Sequence, residues 1–246
     1  AMTIRIDATG GLRLTAAVLL AWVVLFPAPP ASAERLVING IMPVPVNDAG
    51  GSSAAPKGRA HIKRASKVDF RNSSYHVMND GGGYRWDIKY YGTVYRGTDY
   101  AYYGGGMYLQ INGTNFQTPN HTAWANKAGD EIEMGPWSNK GLNIYRRIKV
   151  YKDRPMARWL EVFENPTSAP ITLQVAIYSS HSYGIQQTTY SSGGGSFGAK
   201  DTAFMVRHGR PNSPPTLHVV TSNRAKPRPT VQIQRNQIYV RYSRTV

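Results

Sequence analysis

One stretch of alternating side chains limits the fold of this chain more than any other feature. Ile144, Arg146, Ile148 and Val150 fall on one face of an extended segment, and Tyr145, Arg147, Lys149 and Tyr151 fall on the other. Lys152-Asp153-Arg154-Pro155 then turns the chain into a second extended run, 157–164. Asn165-Pro166-Thr167-Ser168-Ala169-Pro170 forces another turn, since proline fixes φ and asparagine favours turn initiation. Along the third run Ile171, Leu173, Val175 and Ile177 alternate with polar or small neighbours. Three such runs with short connections specify an antiparallel meander, one face packed and the other turned to water.

The rest of the chain from Val68 onward carries the same signature. β-branched and aromatic residues occur in short runs, with Gly, Asn, Asp or Pro between them. Further strands are expected at 84–95, 107–111, 131–134, 202–206, 217–221 and 231–242. Asn112-Gly113 marks a hairpin turn, and Arg235-Asn236 divides the last run in two. No window after residue 33 shows a helix-length 3.6-residue period, and 24 glycines and 16 prolines interrupt most candidates. The expected fold is all-β, an antiparallel β-sandwich over 68–246, ordinary or of the larger many-stranded kind. With no cysteine in the chain, burial alone must hold it together. The chain stops at Val246, in or just beyond a strand, which suggests a partner strand or further chain beyond it.

The N-terminal third reads differently. Arg5 and Arg13 flank or precede an apolar run over 14–26, followed by Pro27, Pro29 and Pro30 and then Ala31-Ser32-Ala33. That order is a cleavable export signal, cut between Ala33 and Glu34. The run is shorter than the ~20 apolar residues of a membrane-spanning helix. Residues 34–67 are expected to form a flexible basic arm. It holds the Gly/Ser/Ala-rich stretch 47–56 and then Lys57, Arg59, His61, Lys63, Arg64 and Lys67. Without the signal the chain carries 27 basic and 13 acidic residues. Such an excess favours acidic polysaccharide or another anionic envelope component, with membranes contacted only electrostatically. Export makes nucleic acid an unnatural partner.

The stretch 144–174 also carries a resemblance. Arg147, Arg158-Trp159-Leu160-Glu161-Val162 and Asn165-Pro166-Thr167 resemble exported β-sandwich modules of bacterial envelope and surface proteins. Ser191-Ser192-Gly193 and Ile238-Tyr239-Val240 look similar to later parts of those modules. The resemblance implies a fold and a location, and it brings no catalytic residue with it.

Chemistry is suggested most by aromatic composition. Nine of the 16 tyrosines lie between Tyr75 and Tyr108. From this region Tyr84, Trp86, Tyr90, Tyr91, Tyr95, Tyr100, Tyr102 and Tyr103, with Arg85 and Arg96, form the candidate ligand-binding set. Aromatic rings stack on sugars, tyrosine adds a hydroxyl at low entropic cost, and the cations hold acid groups. The competing reading places Tyr84, Trp86, Ile88 and Tyr90 on one strand face as core. The expected function is therefore a non-catalytic exported module that binds anionic or neutral polysaccharide, with no cofactor.

The alternative is a secreted hydrolase or polysaccharide lyase. Gly194-Gly195-Ser196-Phe197-Gly198 matches the G-x-S-x-G pattern of serine esterases, and Asp201 with His208 or His218 supplies the order of a Ser…Asp…His triad. No helix pattern follows Ser196. The six histidines show no metal-ligand spacing. Glu131 and Glu133 share a strand face and are expected to pair with arginine. A lyase would use tyrosine with arginine or histidine.

Overall fold

In the computed structural model the described residues are 35–40, 61–97, 105–211, 213–222 and 227–246. The expected export signal at 1–33, residues 41–60 of the expected arm, and Tyr100, Tyr102 and Tyr103 lie outside them. The described residues form seventeen strands and no α-helix. In chain order these are β1 (Arg35–Gly40), β2 (Ser66–Asp69), β3 (His76–Asn79), β4 (Arg85–Ile88), β5 (Val94–Arg96) and β6 (Tyr108–Ile111). There follow β7 (Thr114–Asn115), β8 (Thr122–Ala125), β9 (Glu131–Asn139), β10 (Leu142–Tyr151), β11 (Met156–Glu164) and β12 (Thr172–Ser180). The last five are β13 (Ile185–Tyr190), β14 (Ala203–His208), β15 (Thr216–Val219), β16 (Thr230–Gln234) and β17 (Gln237–Thr245).

The strands pair antiparallel in four sheets, ordered β1-β11-β10-β9-β8-β2, β16-β17-β12-β6-β7, β13-β14-β15 and β3-β4-β5. They are arranged as a propeller-like ring of four blades around a shared core, where the sequence led us to expect the two layers of a sandwich. The difference comes from turns inside segments that read as single strands. Residues 84–95 form β4 and β5, because the chain folds back at Lys89–Thr93 with Gly92 at φ 69°. That reversal creates a separate three-stranded sheet. Asn112 and Gly113, both at positive φ, make the expected hairpin between β6 and β7. Arg235 at φ 54° likewise divides β16 from β17. Part of the segment expected as a flexible arm is built into the six-stranded sheet: β1 pairs along β11, from Arg35 opposite Glu164 to Gly40 opposite Trp159.

The predicted alternation in β10 holds, with Ile144, Ile148 and Val150 buried on the core side. The opposite face is not wet as expected. Leu160 and Val162 are buried there against Tyr145. His61 lies edge-on to the Tyr145 ring, with centroids 4.3 Å apart. The segment before β2 therefore packs over this face.

Arg146 sits on the core side too, directly across from Glu161 in the β10–β11 register. Both side chains have no solvent exposure, and Arg146 Nε lies 3.1 Å from Glu161 Oε1. Burial pushes the Glu161 carboxyl up, to about 7, and pushes Arg146 down, against their mutual attraction. Removing one partner leaves a buried charge alone, which costs about 3–5 kcal/mol. Replacing both by apolar groups of similar volume is neutral or stabilising. Urea denaturation should therefore show a loss of about 3–5 kcal/mol in Arg146→Met, with part of it restored in Arg146→Met/Glu161→Leu; the rest reflects the Tyr91 carbonyl to which Arg146 Nη1 also donates.

Candidate functional site

The solvent face of the β3–β4–β5 sheet carries three of the ten residues proposed from the sequence, Arg85, Tyr95 and Arg96, together with Tyr75 and Lys89. The rings of Tyr75 and Tyr95 stack 5.7 Å apart at 12°. The Arg85 guanidinium lies 5.7 Å over Tyr75, and Lys89 Nζ lies 4.5 Å over Tyr95. A cation thus caps each end of a two-ring stack, an arrangement in which the ring quadrupoles attract both charges. Asp87 lies in the same sheet with no exposed side-chain surface. Its Oδ1 accepts from Arg85 Nε at 2.6 Å, and its Oδ2 lies 3.8 Å from Arg96 Nε. One buried carboxylate thus orients two of the three cations.

The remaining predicted residues divide. Trp86 is a core residue: it is 5% exposed, its ring packs 5.8 Å from Trp159, and its Nε1 donates to Asp80 Oδ2 at 2.9 Å. The core reading of that strand face holds for Trp86 and Ile88. Tyr84 is half-buried, and its backbone N–H donates to Asp80 Oδ1. Tyr90 packs between Tyr91 and His121, with ring centroids 3.8 and 4.6 Å away. Hydrogen bonding to Tyr91 pushes its hydroxyl up to about 12. Tyr91 turns to a different place and lines a cavity of about 110 Å³ with Thr93, Tyr108, Leu109, Asn115, Phe116 and Gln117.

The turn that bears these residues is held from below. Arg146 Nη1 donates to the Tyr91 carbonyl at 3.1 Å, and Trp159 Nε1 donates to the Gly92 carbonyl at 2.8 Å. Thr118 Oγ1 donates to the Tyr90 carbonyl. Gly92 is required here: a Cβ on it would lie 2.6 Å from Arg146 Cδ, and its φ of 69° disfavours other residues.

A second aromatic feature was missed from the sequence. Tyr108, Tyr178 and Tyr239 stack across three neighbouring strands, at 4.7 and 5.9 Å, and Arg241 lies 4.8 Å over Tyr239. The pairs are directly opposite in the register, Tyr178 facing both Tyr108 and Tyr239. Each tyrosine lies on the half-exposed side of its strand, but nothing local links residues 108, 178 and 239. Only the strand order β17-β12-β6 brings them together.

The residues of the serine-hydrolase alternative are not brought together. Ser196 is exposed in a loop, with no helix behind it. Asp201 is buried and closes that loop: Oδ1 accepts from Ser191 Oγ at 3.1 Å and Ser192 N at 2.6 Å, and Oδ2 from Gly198 N at 2.8 Å. Burial opposes its charge, but these bonds outweigh it and hold the carboxyl below its usual value. His208 and His218 are both buried, His218 flat against Phe204 at 4.7 Å. Ser196→Ala should leave stability within about 0.5 kcal/mol, as for an exposed residue. Asp201→Ala strands three donors and should cost ~2–4 kcal/mol in the same denaturation experiment.

His208 and His218 each lie near His181, which is also buried; its ring centroid is 6.0 Å from that of His208 and 6.1 Å from that of His218. Among the described residues, no group of three or more His, Asp or Glu side chains is placed to hold a metal ion. Burial, with His208 nearby, pushes His181 down to about 4, and burial pushes His218 well below its ordinary value. The unfolded chain protonates these groups near pH 6.5. Between that pH and about 4 the unfolded state binds more protons, so their contribution to stability falls as pH falls. The His181 share reaches roughly 3 kcal/mol at ~1.4 kcal/mol per unit. Glu161, with its carboxyl raised, works in the opposite direction as pH falls through 7, so the informative quantity is a difference. Urea midpoints at pH 7 and pH 5 should show a smaller acid loss in His181→Gln than in the parent protein.

The acidic pair is occupied as expected. Glu131 Oε1 accepts from Arg147 and Arg158, at 2.8 and 3.2 Å. Glu133 Oε2 lies 3.1 Å from His61 Nδ1, and His61 Nε2 lies 3.1 Å from Glu164. Tyr145 and Arg64 complete this group. Burial first, then Glu164, pushes the Tyr145 hydroxyl up, away from the phenolate that proton abstraction by a lyase would need.

The chain matches no protein-family model, no curated protein and no solved structure. Among the described residues, no helix is long and apolar enough to cross a membrane.

Proposed function

We propose that this protein is an exported, non-catalytic module that binds acidic polysaccharide of the cell envelope through the outer face of β3–β4–β5. The observation that carries this reading is the Arg85–Tyr75–Tyr95–Lys89 stack. Two cations flank a pair of stacked tyrosine rings there, a spacing of positive charge that suits a polymer bearing carboxylates or sulfates. Asp87 fixes Arg85 and Arg96 in place, so less side-chain entropy is lost on binding. The excess of basic over acidic residues adds attraction at longer range. Within the ring, the same reading takes the six- and five-stranded sheets as a sandwich-like pair: Ile132, Ile144 and Phe163 from one share a core with Leu109, Val175 and Val240 from the other.

Affinity electrophoresis in polygalacturonate tests the proposal, with dextran as a neutral control. Retardation should be strong at low ionic strength and fall steeply toward 0.5 M salt, because exposed charges are screened over a few ångströms there. Lys89→Ala/Tyr95→Ala should weaken binding about 10-fold or more with the unfolding midpoint little changed. Equal migration of parent and variant would overturn the assignment of this face.

A further inference from the structure

Each sheet of the ring ends on two edge strands. An edge presents backbone N–H and C=O groups on which another strand can form. Several of these edges are blunted. β7 is two residues long, β2 carries Lys67 and Asp69, Pro214-Pro215 leads into β15, and the register of β13 breaks between Ile185 and Gln187. β16 lacks all of these devices. Thr230–Gln234 holds no charged residue and no proline, and it pairs with β17 without a register shift. Among the described residues no strand lies along its other side.

The hairpin fixes which groups of β16 point outward. The two-residue turn Arg235-Asn236 closes on the pair Gln234 and Gln237, so Gln234, Gln232 and Thr230 exchange their backbone bonds with β17. Val231 and Ile233 therefore aim their N–H and C=O groups away from the sheet. Their side chains are half-buried against the core, whereas Thr230, Gln232 and Gln234 are exposed.

We propose that β16 pairs with β16 of a second copy of this chain, antiparallel about a twofold axis at Gln232. The strand is complementary to itself in this register. Val231 lies opposite the other copy's Ile233, and Ile233 opposite its Val231, so each pair exchanges two backbone bonds. The same pairs set β-branched side chains together over the joined edge of the two cores. On the outer face Thr230 meets Gln234, and the two Gln232 amides meet on the axis. Gln232 Oε1 accepts from Arg241 Nη1 at 3.0 Å, which orients the amide and leaves its NH2 group to donate across the axis.

Other registers lose a pair. A two-residue shift one way brings Pro229, which has no N–H, opposite Ile233. A shift the other way sets Val231 opposite Arg235, which is in the turn at φ 54°. Like charges are also kept apart: Arg235 falls opposite Pro229, and Arg228 is folded back onto the carbonyls of Ser222, Ala199 and Asp201. The other edge of this sheet is the short β7, so the contact closes as a dimer with one sheet running through both copies.

Sedimentation equilibrium of the purified protein over a wide concentration range tests the proposal. The interface is small, so a Kd of about 10–100 μM is expected. Both copies are basic, so dimerisation should hold or strengthen at 0.5 M salt, the reverse of polysaccharide binding, and either result can fail without the other. At 0.15 M salt Gln232→Lys should weaken the dimer about 10-fold or more, because it sets two cations together on the axis. An equimolar mixture of Gln232→Lys and Gln232→Glu should restore association, which a folding defect would not do. Ile233→Pro removes an outward N–H without touching the ladder to β17 and should weaken the dimer to a similar extent. If the protein stays monomeric up to ~500 μM, or dimerises equally well with Gln232→Lys and Ile233→Pro, the pairing is wrong.

Discussion

The buried arginine–glutamate pair at the centre of the β10–β11 hairpin is the constraint around which the neighbouring sheets are arranged. Neither side chain reaches solvent, and each would be costly to bury without the other. Arg146 also carries a structural duty beyond its ion pair, since its Nη1 holds the Tyr91 carbonyl. The six-stranded sheet is thereby tied to the turn of the β4–β5 hairpin. The five-stranded sheet is close to the same charge: Tyr242, buried on β17, has its hydroxyl raised first by burial and then by Glu161. One buried pair thus bears on three of the four sheets.

The candidate site inherits its rigidity from that arrangement. A hairpin of short strands such as β4 and β5 has little stability of its own. Here its inner face supplies Trp86, Ile88 and Val94 to the common core, and its turn hangs on Arg146 and Trp159. The outer face is then free to carry groups that contribute little to folding, namely Tyr75, Tyr95, Arg85 and Lys89. Separation of this kind lets a binding surface vary without loss of the fold.

Alternation made the core legible. Ile144, Ile148, Leu173 and Val175 are buried as their spacing requires, because a strand places every second side chain on one face. The turns at Asn112-Gly113 and Arg235-Asn236 were legible for a local reason, the ease with which those residues adopt positive φ. Within 84–95, aromatic and β-branched residues outweighed the single turn-former Gly92, and one long strand was expected where two short ones occur. The buried outer face of β11 was also hidden, since what covers it comes from the segment around His61, more than 80 residues earlier in the chain.

By itself the sequence determined that this chain makes antiparallel strands, where most of their turns fall and that aromatic and basic residues crowd 75–108. These are consequences of local sterics and of a two-residue period. Tertiary structure alone decided which aromatics became core and which became surface: Trp86 went inward onto Trp159, whereas Tyr95 stayed outward under Lys89. Tertiary structure also kept Ser196, Asp201 and the histidines apart, and it aligned Tyr108, Tyr178 and Tyr239 from distant strands. The physical reason is that strand order and the packing of one sheet against the next depend on contacts between residues far apart in the chain, on which a local pattern carries no information.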